Sequence, residues 1–161
     1  MSNWQDGGCA CGAVRYTVAV PPMFTHCCHC TDCQRETGSA FVLNALVEGE
    51  MVRVLKGEPE PVMTPSASGE GQEIWRCPIC RVALWSHYSA RRRKIAFVRV
   101  GTPDRPGAGP LDHHTYTRSI HPGVLVGQAI PDVPSHLLPD VPWLPVCPPR
   151  RVGIQPSRTP Y

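Results

Sequence analysis

The chain has 161 residues, 42% of them hydrophobic, with 19 prolines, 14 glycines and a formal charge of +3. That is the length of one domain, with enough apolar residues for a core and enough turn formers to cut it into short elements. So small a charge, with no accompanying motif, excludes a nucleic-acid surface, and no run approaches the ~18 apolar residues of a membrane helix.

In chain order, the stretch from Ala13 to Val20 is rich in β-formers and is stopped by Pro21 and Pro22. A short helix is predicted from Thr31 to Thr37, with Thr31 as N-cap, Asp32 in the first turn and Gly38 closing it. Strands follow at Phe41 to Val47, Val52 to Lys56, Glu73 to Arg76, Val82 to Tyr88 and Ile95 to Val100, with a last short one at Thr115 to Ser119. The basic run Arg91-Arg92-Arg93-Lys94 reads as a solvated turn between strands. The expected fold class is all-β, mainly antiparallel, with one short helix. Nine of the 31 residues from Pro131 to Tyr161 are proline, which predicts an extended wrap and then a disordered tail over 146–161, leaving 1–145 as a single domain.

Seven of the nine cysteines fall into three clusters: Cys9-Ala-Cys11, Cys28-His29-Cys30-Thr-Asp-Cys33 and Cys77-Pro-Ile-Cys80. Disulfides, redox thiols and metal ligation compete for them. The first 20 residues lack a basic segment followed by an apolar run, so a cytoplasmic, reducing setting is expected and disulfides are disfavoured. Cysteines separated by one residue also pair poorly with each other. A thioredoxin-like role for Cys77 and Cys80 lacks its βαβ context. Metal remains, and zinc best suits an all-thiolate set whose spacing matches neither ferredoxin pattern.

The ligands divide unequally. Cys9 and Cys11 with Cys77 and Cys80 would close a four-thiolate structural site. Cys28, Cys30 and Cys33 then form a three-thiolate set with an open fourth position, the arrangement of a catalytic zinc. Seven thiolates subtract seven charges and two zinc ions restore four, so the formal +3 falls to zero in the loaded protein.

The run Gly8-Cys9-Ala10-Cys11-Gly12-Ala13-Val14-Arg15-Tyr16, the run from Cys28 to Phe41, and Cys77-Pro78-Ile79-Cys80 followed by Leu84-Trp85 carry a family resemblance. In this order they resemble the glutathione-dependent formaldehyde-activating enzymes, the S-hydroxymethylglutathione synthase-like family, over roughly residues 7 to 145. The resemblance implies a zinc-bearing pair of coiled antiparallel sheets, shared with methionine sulfoxide reductase B. It implies carbon–sulfur lyase chemistry that joins a small aldehyde and a thiol, formaldehyde and glutathione. It also implies the same ligand division: a structural ion on the first and last pairs, a second on the triplet. The chain departs from the family at Arg81, where glycine is usual, at Pro103, and at Ile120 and Gly123, which leaves the identity of the thiol open.

Of the other candidates, His26 just before the triplet and His29 between two of its cysteines are weighed as proton shuttles, with plain packing or hydrogen bonding favoured. Arg35 is either a partner for a substrate carboxylate or a surface residue. Cys27 is expected to be a buried bystander, Cys147 incidental, and His113, His114 and His121 surface or loop residues. An enzyme requires an accessible ion at the triplet. The alternative, a non-enzymatic zinc-stabilised module that binds a partner or buffers metal, requires a closed or empty triplet with no pocket beside it.

Overall fold

The computed structural model describes residues 3–89, 93–105, 110–127 and 130–134. The elements are β1 (Asn3–Gly8), β2 (Arg15–Val20), β3 (Phe24–Cys28), α1 (Thr31–Thr37), β4 (Val42–Glu48), β5 (Val52–Lys56), β6 (Glu60–Thr64), β7 (Gln72–Arg76), β8 (Ala83–Tyr88), β9 (Ile95–Arg99), β10 (His113–Thr115) and β11 (Asp132–Val133). The fold is mostly β with one short α-helix among the described residues, as expected. No described helix is long and apolar enough to cross a membrane.

The strands form two sheets. A three-stranded sheet has the order β1-β2-β5, and an eight-stranded one the order β11-β10-β3-β4-β9-β8-β7-β6. Every pairing is antiparallel except those of β10, which runs parallel to both β3 and β11. The core lies where the sheets face each other. Val14, Tyr16 and Val18 come from the smaller sheet and its hairpin; Val47, Leu84, Trp85, Ala96 and Val98 come from the larger. Burying each aliphatic side chain is worth about 1.5–3 kcal/mol. The edge-on contact of Tyr16 with Trp85, centroids 5.5 Å apart, adds about 0.5–1.5 kcal/mol. The Tyr16 hydroxyl ends on Thr102 Oγ1 at 2.6 Å, so the β2 core residue also ties down the loop after β9.

Three local expectations change. Cys30, not Thr31, caps α1: its backbone is extended and its Sγ accepts the Cys33 N–H at 3.3 Å, as a serine oxygen would. Gly38 closes the helix in the left-handed conformation, as predicted. The strand placed at Thr115 to Ser119 lies earlier, at His113–Thr115, and residues 117–119 form a 3-10 turn. Tyr116 causes the break: its φ of 58° takes the chain out of the strand. Asp132–Val133, at the start of the proline-rich stretch, pairs with β10. Cys147 and the rest of the expected tail lie outside the described residues, as do Arg91 and Arg92. Arg93 is exposed and pairs with Glu73 at 2.6 Å.

Candidate metal and thiol site

Two loops of similar build bring the first four cysteines together. In the β1–β2 hairpin the Cys9 N–H bonds the Val14 carbonyl at 3.1 Å; in the β7–β8 hairpin the Cys77 N–H bonds the Val82 carbonyl at 3.1 Å. Both loops turn through a left-handed residue, Gly12 at φ 72° and Arg81 at φ 61°. Arg81 therefore holds the geometry expected of glycine, at a cost of about 1–2 kcal/mol. Backbone amides point at the sulfurs: Val14 N–H to Cys9 Sγ at 3.3 Å and Ile79 N–H to Cys77 Sγ at 3.4 Å. The Sγ atoms of Cys9, Cys11, Cys77 and Cys80 all lie within 4.8 Å of one another. Cys9 to Cys11 is 3.5 Å and Cys11 to Cys77 is 3.7 Å. Four sulfurs around one zinc, with bonds of ~2.3 Å, stand about 3.8 Å apart. The donor set and its spacing fit that ion. Burial opposes ionisation of Cys9, but the Val14 N–H and the three neighbouring thiols hold its pKa down to about 6.

The second group is local. Cys28 ends β3, Cys30 caps α1 and Cys33 lies in its first turn, and their Sγ atoms also lie within 4.8 Å of one another. No fourth cysteine, histidine or carboxylate of the described residues completes this group. The Cys28 and Cys33 thiols, together with the N–H groups of Cys33 and Asp32, pull Cys30 down to about 2. The hydrogen bond with Cys30, followed by burial and the Cys30 charge, pushes Cys28 up to about 11, and Cys28 and Cys30 push Cys33 up strongly.

All three cysteines are buried, packed against Val42 and half-buried Tyr116. The turn at 117–119 is fastened over them. Gln34 Nε2 donates to the carbonyls of His29 and Ser119, both at 2.8 Å, and Ser119 Oγ donates to the His29 carbonyl at 2.9 Å. Val42 also lines a groove of about 540 Å3 that runs to the second knuckle and includes Phe41, Arg76, Arg81 and Arg99. Arg76 pairs with Glu36, and Arg81 with Glu60 at 3.1 Å. Arg99 is buried and bonds Asn44 Oδ1 through Nη1, while its Nε and Nη2 have no hydrogen-bond partner. Its guanidinium meets no carboxylate among the salt bridges of the described residues.

The remaining candidates separate clearly. His26 is buried, and Asn44 Nδ2 donates to its Nε2 at 3.2 Å. Burial, then the Arg99 charge, lowers its pKa to about 4, so it is neutral. Arg35 is a surface residue, 81% exposed, 3.9 Å from Asp32. Cys27 is buried, as expected. His121 is exposed and His113 half-buried. His114 departs from expectation: it is buried in β10, and its Nδ1 lies 2.9 Å from His29 Nε2. Parallel pairing sets His114 opposite Cys27, a register across 87 residues that no local pattern announces.

Two packed β-sheets tied by a closed four-thiol cluster, with a separate thiol triplet beside a groove, define a β protein able to hold metal ions. The family model described as glutathione-dependent formaldehyde-activating enzyme matches residues 4–119. The chain belongs to that family. Among solved structures it is similar to the crystal structure of a Rhodobacter sphaeroides protein, with 20% identity and a TM-score of 0.51, covering 66% of this chain and 96% of that one. That likeness supports the fold. No curated protein matches it significantly.

Proposed function

We propose that the protein is a zinc-dependent enzyme of the carbon–sulfur lyase type that joins a carboxylate-bearing thiol, glutathione or a close relative, to a small aldehyde such as formaldehyde. The observation that carries the reading is the thiol triplet Cys28–Cys30–Cys33 beside a groove with a buried arginine that no carboxylate pairs among the described residues. Cys9, Cys11, Cys77 and Cys80 would hold one ion as a structural clamp. Cys28, Cys30 and Cys33 would hold the second; when bound it supplies Lewis acidity and acidifies a thiol.

The chain's own residues account for binding and orientation. Arg99 gives the groove a positive charge that no salt bridge among the described residues neutralises and that favours a carboxylate of the thiol, whereas Arg76 and Arg81 on the same groove are paired with Glu36 and Glu60. Arg35 points to solvent and takes no part. His26 is held neutral by burial and is an acceptor of the Asn44 amide, so it positions Asn44 and Arg99. In the reaction the thiol S–H adds across the carbonyl: a carbon–sulfur bond forms, and the carbonyl π pair becomes a hydroxyl that takes up the proton. The reverse step splits the same adduct. The reduced thiols that both metal sites require suit a cytoplasmic setting.

Magnetisation-exchange spectroscopy on mixtures of formaldehyde and glutathione tests this. The zinc-loaded protein is expected to raise the rate of interconversion between free thiol and S-hydroxymethyl adduct above the uncatalysed rate. An unchanged rate, with glutathione still bound, would mark a binding module instead.

A further inference from the structure

Strand alternation puts a second set of donors back to back with the triplet. From Cys27 to Cys30 the chain is extended, and the His29 N–H continues the ladder to the Thr115 carbonyl at 2.9 Å. Successive side chains therefore face opposite ways: Cys28 and Cys30 one way, Cys27 and His29 the other. On that second face β10 adds His114. The Cys27 Sγ, His29 Nε2 and one His114 nitrogen all lie within 4.8 Å of one another, and all three residues are buried.

We propose that Cys27, His29 and His114 form a third metal site, for zinc or a similar borderline divalent ion such as cobalt. The donor set of one thiolate and two imidazoles is typical of such ions. With bonds of ~2.3 Å to sulfur and ~2.0–2.1 Å to nitrogen, a tetrahedral ion sets S–N edges of about 3.6 Å and N–N edges of about 3.3 Å. The corresponding distances are 3.4 Å from Cys27 Sγ to His29 Nε2 and 2.9 Å from His29 Nε2 to His114 Nδ1. Both of these edges lie within a few tenths of an ångström of what the ion needs, and the third, from Cys27 Sγ to His114, is under 4.8 Å. Without an ion, His29 Nε2 must serve two polar neighbours with one proton or one lone pair, in a place shut off from water.

The surroundings hold the donors in place. The His29 ring stacks on His114, centroids 5.2 Å apart, and meets Phe41 at 5.8 Å. On binding, Cys27 gives its proton to solvent, and the ion with one thiolate and two neutral imidazoles keeps a single positive charge. Burial opposes charge at His114, and Asp132, its register partner on β11, favours it. β10 is three residues long, and among the described residues its outer neighbour in the sheet is the two-residue β11. The proposal does not depend on thiol–aldehyde catalysis: a protein with no turnover could still carry this ion.

Zinc X-ray absorption on the unmutated protein, joined to elemental analysis, decides the matter. Among the described residues the other two clusters contain only cysteine, so imidazole scattering that is lost with His114 comes from this one. The expected result is imidazole in the coordination shell and a loss of one zinc per chain in both Cys27→Ala and His114→Leu, with melting curves confirming that the variants fold. A sulfur-only shell in the unmutated protein overturns the site, and so does imidazole scattering that survives His114→Leu. If either variant fails to fold, the unmutated spectrum decides alone: imidazole supports the site and its absence refutes it.

Discussion

In the proposed reading the four-thiol cluster and the thiol triplet use the same side chain for opposite ends. Cys9 and Cys11 meet Cys77 and Cys80 across more than 60 residues, and the two knuckles cap hairpins of different sheets. Removing that contact releases a long loop and separates the two halves of the core. The triplet spans six residues at the junction of β3 and α1. It closes almost no loop, so whatever ion it holds adds little to chain entropy, and its sulfurs are free to serve chemistry. Sequence separation thus points the same way as ligand number, the closed set of four joining distant segments and the open set of three lying in one turn.

The comparison breaks first at Cys77. Cys77→Ser should cost more than about 4 kcal/mol, since loss of a structural metal ranks among the largest single-residue effects, against a total of about 5–15 kcal/mol for a domain. Circular dichroism should show a largely unfolded chain; a native melting curve would remove the clamp from the account. Cys30→Ser should do the reverse. A serine oxygen still accepts the Cys33 N–H, so the helix cap survives, and melting should move by only a few degrees, roughly the effect of 1 kcal/mol or less, while thiol–aldehyde exchange falls to background.

A smaller effect belongs to Arg99. Arg99→Gln keeps a donor for Asn44 but removes the charge. The KM for glutathione should rise about tenfold to a hundredfold, the loss of a charged hydrogen bond worth ~1.5–3 kcal/mol, with kcat little changed. Equal loss for a thiol lacking carboxylates would mean that Arg99 only supports the fold. The smallest effect is acid sensitivity in the clamp half. His87 on β8 is buried, donates Nδ1–H to the Ile95 carbonyl at 2.8 Å, and is held below its ordinary pKa by burial. The unfolded chain therefore takes up this proton first, so stability is full above pH ~6.5 and declines as the pH falls below it. Denaturant melts of His87→Gln should show a shallower decline over that range.

The thiol clusters were legible in the sequence because ligand spacing is a local property: Cys-x-Cys and Cys-x-x-Cys fix short loops whatever the rest of the chain does. β2, β5 and β9 were legible for the same reason, through β-branched runs bounded by proline or glycine. β1 was not. Its Asn3-Trp4-Gln5-Asp6-Gly7-Gly8 reads as a loop, and Gly7 is there because a Cβ would stand 2.8 Å from the Thr102 carbonyl oxygen and from the Tyr16 ring. β3 was hidden beneath its own cysteines, since Phe24-Thr-His-Cys-Cys reads as a ligand motif before it reads as a strand. The place of His114 depends on a parallel register between β3 and β10, and no local pattern encodes a contact of that range. The groove arginines come from β7, β9 and the second knuckle, so only the folded chain gathers them.

The most direct test of the division is to measure aldehyde–thiol exchange and thermal melting together on zinc-loaded Cys30→Ser beside the unmutated protein. The account predicts a melting transition within a few degrees of the original and an exchange rate equal to that of the uncatalysed mixture. Undiminished exchange in a folded Cys30→Ser protein would contradict it and move the chemistry away from the triplet.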